Sequence, residues 1–222
     1  MECLILISVT ERKASMAKID LDNMESVQFD VLREIGNIGA GNATTALSKL
    51  LDARIDMRVP KVNLAGFSEI TGIIGDEEEV MVGILLSLEG DVNGMMMFLL
   101  DTASAGRLVA TLLKQEENID KDIYDFSEME LSALNEIGNI ITGAYLSALS
   151  DLTKLTIVSS VPTLQVDMAG AILSIPAIEF SKIGDKVLLI ETQFDEESHI
   201  NGYFLLVPEL ESYDVILNSL GL

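Results

Sequence analysis

Part of this chain is written twice. Glu34-Ile35-Gly36-Asn37-Ile38 returns unchanged as Glu136-Ile137-Gly138-Asn139-Ile140, an offset of 102 positions. The same offset pairs Gly41 with Gly143, Ala46-Leu47-Ser48 with Ala148-Leu149-Ser150, and Pro60 with Pro162. Further on, Gly90-Asp91-Val92-Asn93-Gly94-Met95 faces Ser198-His199-Ile200-Asn201-Gly202-Tyr203 at an offset of 108. Self-similarity sustained over so many positions marks one folding unit used twice, so any architecture for the chain must place two equivalent copies.

Each copy reads as helix, strands, hairpin, helix. The apolar runs Val80 to Leu88 with Met95 to Leu100, and Val187 to Thr192 with Tyr203 to Val207, predict paired strands in a sheet covered on at least one face. Asn93-Gly94 and Asn201-Gly202 read as type I′ turns, whose two central residues take positive φ. Asp101 to Lys114 and Glu209 to Leu220 carry apolar residues at helical spacing, and Ser127 with Glu130 forms a capping box that opens a second long helix. The polar stretch Gln115 to Asp122 parts the copies. The expected organisation is one α/β (α+β) domain over 24–222, made of pseudo-twofold repeats at about 24–115 and 123–222 around a shared sheet. Residues 1–23 have no counterpart later in the chain and stand as an appendage of unassigned role.

Composition narrows the function. Fourteen Lys plus Arg against 36 Asp plus Glu give a net charge of −22, a field that repels nucleic acid and anionic membrane surfaces. One cysteine, Cys3, and one histidine, His199, cannot build a Cys/His zinc site or an internal disulfide, and no metal of the chain's own is expected. A Ser-His-Asp or Cys-His arrangement would have to use His199, which reads as a turn residue. The N-terminal apolar run Cys3 to Ile7 lacks a preceding basic region and is too short for a signal or a membrane span, so a cytoplasmic protein is expected.

Within the duplicated segment, Asp30, Glu34 and Asn37 fall at i, i+4 and i+7, on one helical face. Ser132, Glu136 and Asn139 form the matching stripe in the second copy. A wet helix face accepts many polar residues, yet both copies keep the same acid and the same amide one turn apart, and the same proline after 22 intervening residues. The glycines do not make a phosphate loop: Thr44 stands where a dinucleotide fingerprint from Gly39 needs glycine, and Ile141-Thr142 replaces Gly39-Ala40 in the second copy. Gly36 and Gly138, unfavourable in a helix by about 1 kcal/mol each, are expected to clear room for the close approach of a partner surface.

The pattern Asp30-x3-Glu34-x2-Asn37-x22-Pro60, repeated as Ser132-x3-Glu136-x2-Asn139-x22-Pro162, resembles that of the CheC, CheX and FliY phosphatases. With two motifs and no appended module expected after Leu222, it is most like the CheC branch. The resemblance implies two long motif helices side by side on a shared, mostly antiparallel sheet. It also implies an enzyme that hydrolyses the aspartyl phosphate of the chemotaxis response regulator CheY, with Mg2+ on that receiver and no cofactor of its own. A carboxamide can orient an attacking water without adding negative charge near phosphate, which assigns Asn37 and Asn139 to the water. By the resemblance, Glu34 and Glu136 pair with the receiver's lysine. Asp30 and Ser132 support them, and Pro60 and Pro162 hold the backbone. The family also implies binding to the receptor deamidase CheD, placed here around Asp167. Two sites within one chain remove the need for a dimer to supply a second, so a monomer is expected when free. A non-catalytic CheD adaptor and a flagellar-switch component are the competing functions.

Overall fold

The computed structural model describes residues 24–53, 55, 61–115, 126–180, 186–193 and 200–222; the 1–23 appendage, Pro60 and His199 lie outside them. Two long helices, α1 (Ser26–Leu51) and α4 (Glu128–Thr153), are each 26 residues long and are offset by the repeat. The capping box is present at α4, where Glu130 Oε2 accepts from the Ser127 backbone at 2.7 Å and Ser127 Oγ accepts from the Glu130 N–H at 3.4 Å. Both helices end on a left-handed residue at equivalent positions, Asp52 (φ 49°) and Lys154 (φ 61°).

The sheet contains β1 (Lys61–Gly66), β2 (Val80–Gly90), β3 (Gly94–Asp101), β4 (Ile157–Ser159), β5 (Thr163–Met168), β6 (Lys186–Gln193) and β7 (Asn201–Pro208). Their order is β1-β6-β7-β3-β2-β4, with β5 also on β2, and every pairing among the described residues is antiparallel. The copies are interleaved: β1 of the first pairs with β6 of the second, and β5 of the second pairs with β2 of the first. At the centre, Met97 sits opposite Leu205, the residue to which the 108 offset maps it. The pseudo-twofold axis therefore passes between these two residues, normal to the sheet. Such an axis reverses anything lying flat on the sheet, so α1 and α4 run antiparallel.

Strand residues alternate between two apolar cores. Val82, Ile84, Met96, Phe98, Phe204 and Leu206 face α1 and α4, together with α3 (Thr102–Leu113) and α6 (Leu210–Ser219). Met81, Leu85, Met97, Leu99 and Leu205 face α2 (Phe67–Ile74) and α5 (Ala169–Phe180). Both faces are covered, which is why the strands read as continuous apolar runs. Near the axis Phe98 stacks on Phe204 with ring centroids 4.6 Å apart, and Tyr145 of α4 stacks on Phe204 at 5.6 Å.

Two expectations about turns need correction. The β2–β3 loop is Asp91 to Asn93, not a two-residue Asn-Gly turn; Gly90 (φ 112°) and Gly94 (φ 152°) flank it, and Asn93 is not at positive φ. Tertiary bonds set that loop: Asp91 exchanges hydrogen bonds with Thr156, and the Asn93 backbone bonds Ser212 Oγ and the Glu209 N–H. Asn201-Gly202 lies inside β7, paired with Gln193 and Thr192.

Candidate functional site

The retained acid of each copy projects from the outer side of its helix. Glu34, Glu136 and Asn139 are exposed, as are Asp30 and Ser132, while Leu32, Ile35, Leu134 and Ile137 of the same turns are buried against the sheet. One helical turn thus supplies both the anchor to the core and the presented acid, because positions one and two residues apart face opposite ways. Glu to Asn is an advance of about 4.5 Å along the helix at 1.5 Å per residue.

The two copies are not identical. Asn37 is half-buried, and its Oδ1 is buried without a hydrogen-bond partner among the described residues, whereas Asn139 is exposed. Asp30 pairs with Arg33 at 2.8 Å, both well exposed. The second copy has Ser132 and Asn135 at those positions, and Asn135 has a buried Oδ1 of its own that lacks a partner among the described residues. The Glu136/Asn139 pair is presented outward as it stands. The Glu34/Asn37 pair requires the Asn37 carboxamide to turn out of its burial.

Gly36 and Gly138 do not clear space for a partner. Both are buried, and a Cβ on Gly138 would lie 2.5 Å from Ile84 Cδ1 on β2. The glycine lets the helix sit down on the sheet. Gly39 plays a related part between the helices, where a Cβ would meet the Tyr145 ring at 2.4 to 2.7 Å.

Pro162 lies at the break between β4 and β5, where Ser160 and Ser87 bond each other through backbone and hydroxyl and interrupt the ladder. A proline and a bulge at this place blunt the sheet's edge. Asp167 is in β5 opposite Met81; it is exposed, and its Oδ1 accepts from the Met168 N–H at 2.8 Å.

Between α1 and α4 runs an open groove of about 540 Å3, lined among others by Ile38, Asn42, Lys49, Ser147, Asp151 and Leu152. Because the helices are antiparallel, the groove joins the motif-bearing half of each to the C-terminal half of the other. No described helix is long and apolar enough to cross a membrane.

Comparison with known proteins places the geometry. The CheC-like family model matches residues 27–64 and 129–166, the two motif helices and the segments that follow them. The chain is 37% identical over 205 residues, 90% of its length and 97% of the other's, to the CheY-P phosphatase CheC of Bacillus subtilis (strain 168). Among solved structures it resembles Thermotoga maritima FliY with a TM-score of 0.68 at 20% identity, covering 88% of this chain and 96% of that one. It also resembles a CheX–CheY complex with BeF3 and Mg2+ from Borrelia burgdorferi, with a TM-score of 0.51 at 20% identity over 77% and 96% of the two chains.

Proposed function

Since the chain belongs to the CheC-like family, we propose that it is a phosphatase that hydrolyses the aspartyl phosphate of phosphorylated CheY in the cytoplasm. The observation that carries this reading is the acid and amide one turn apart on both antiparallel helices, with Glu136 and Asn139 both exposed on α4 and, on α1, Glu34 exposed and Asn37 half-buried. The receiver brings an activated acyl phosphate and its own Mg2+, so in-line placement of water is the main contribution left to this chain. Water attacks phosphorus, the P–O bond to the aspartyl carboxyl breaks, and the carboxylate leaves with the electron pair; the products are inorganic phosphate and the restored aspartate.

In this reading the Asn139 carboxamide accepts a hydrogen bond from the attacking water, and Asn37 does the same once rotated outward. Glu136 and Glu34, one turn further from the phosphoryl group, pair with a lysine of the receiver. Exchanging the two residue types would set a carboxylate against phosphate and raise the barrier. Ser132 and the Asp30–Arg33 pair flank the two acids, and Pro60 and Pro162 hold the backbone that follows the helices. With a net charge of −22, attraction at long range is absent and docking depends on local fit.

The test is phosphate loss from phosphorylated CheY with wild type and with Asn37→Ala plus Asn139→Ala. The double variant keeps its fold and loses the acceleration; a double variant as fast as wild type refutes the assignment. We further propose that the free protein is a monomer and binds CheD at the β5–α5 surface. There the exposed Asp167 adjoins Met168, 44% exposed, and Ile178, 72% exposed, belongs to the following helix. Asp167→Lys then abolishes co-elution with CheD and leaves hydrolysis unchanged.

A further inference from the structure

The groove between the helices gives the two sites different neighbours. Across the two helices Gly39 of α1 faces the Tyr145 ring of α4, so this pair is level and fixes the register of the antiparallel helices. Ten residues further along α1, Lys49 is level with Asn135 of α4, beside Glu136 and one turn from Asn139. By the same count Asp151 is level with Arg33, beside Glu34 and one turn from Asn37. Lys49 and Asp151 are repeat counterparts of opposite sign, and both line the groove. Lys49 is exposed and has no ion-pair partner among the described residues.

We propose that Lys49, a residue of the first repeat, is a docking residue of the second site, holding the acidic rim of the receiver's phosphoryl pocket from the neighbouring helix, level with the turn that precedes Glu136 and Asn139. The first site has an anion, Asp151, in that place and is disfavoured by it. The inference rests on the phosphatase reading for its partner, and on the groove for its residues. It makes the second site a product of both repeats, and it supplies a local attraction that the chain's overall charge does not.

The sites are separated genetically. Asn37→Ala leaves the second site alone, and Asn139→Ala leaves the first. Placing Lys49→Glu on the Asn37→Ala background raises KM for phosphorylated CheY about three- to fivefold at low salt, with kcat nearly unchanged. The neutral Lys49→Met gives an intermediate value, and the differences shrink once added salt shortens screening to about 3 Å near 1 M. On the Asn139→Ala background Lys49→Glu has no effect, while Asp151→Lys lowers KM about twofold. Equal effects on both sites, a fall in kcat at constant KM, or a change under 1.5-fold overturns the proposal. Binding of BeF3-activated CheY to wild type and to Lys49→Glu supplies a readout that needs no hydrolysis. If single-site and wild-type proteins bind without hydrolysing, the phosphatase reading fails while Lys49-dependent binding still upholds the docking role. Binding indifferent to Lys49 removes that role whether or not hydrolysis occurs.

Discussion

The same substitution, glycine to alanine, should act with opposite sign at two places on α4 only five residues apart. At Gly138 an added Cβ falls 2.5 Å from Ile84 Cδ1 and 2.6 Å from its Cγ2, where ordinary contact begins at 3.4 Å. The helix or Ile84 must therefore yield by nearly 1 Å. Overpacking of this kind costs about 2–3 kcal/mol, against a gain of about 1 kcal/mol for alanine in a helix interior, leaving a net loss of about 1–2 kcal/mol. At Gly143 nothing lies within 4 Å of the added carbon, so only the gain of about 1 kcal/mol remains. At about 2–4 °C per kcal/mol for a protein of this size, thermal unfolding by circular dichroism should place Gly138→Ala roughly 5 °C below wild type and Gly143→Ala about 3 °C above it. The alternative, that Gly138 makes room for a docking partner, predicts a raised Tm in both variants and a loss of CheY-P hydrolysis in Gly138→Ala alone. That pattern would refute the close helix–sheet packing on which the presentation of Glu136 and Asn139 depends.

Other outcomes follow from the same coordinates. Asn139→Ala should reduce CheY-P hydrolysis more than Asn37→Ala, because Asn139 is already exposed and Asn37 has its oxygen buried; single-variant rates measured at saturating CheY-P decide it. Burial pushes the Tyr145 and Tyr213 phenols above their ordinary range. Above about pH 10 the unfolded chain alone then loses these protons, and stability falls by up to about 1.4 kcal/mol per pH unit for each group; Tm followed from pH 9 to 11 should flatten in Tyr145→Phe. At neutral pH that variant also removes a buried hydroxyl without a partner among the described residues, and should match or exceed wild-type stability by up to about 1 kcal/mol. Asp101 accepts from the Ser104 N–H at 2.6 Å and opens α3, so Asp101→Ala should destabilise by about 1 kcal/mol in urea unfolding.

The repeat made the helix motifs and the hairpins legible, since an offset seen once in the letters becomes an axis in the fold. The capping box at Ser127 was legible for a local reason, as both partners lie within one turn. What escaped was set by contacts distant in sequence. Asn93-Gly94 does not form the tight turn its composition favours, because Thr156 and Ser212 pin the loop from elsewhere. The strand that carries Asp167 is set by pairing with β2, a partner some 80 residues away in the chain. The glycines of the motif were attributed to a partner's approach, since the letters do not tell which side of a helix faces the sheet. Lys49 and Asp151 are not marked by identity between the repeats, because what distinguishes them is a reversal of sign at equivalent positions.

The interleaving of strands carries a historical consequence. A chain with only one copy would have β1 with no neighbour of its own and β2 with a bare outer side, since β6 and β5 come from the other copy. Such a half could close its sheet only by exchanging strands with another molecule, so that its survival depended on protomer concentration. Joining two copies in tandem lifted that dependence and released the halves from having to stay alike, leaving each helix's far end free to drift toward its own charge.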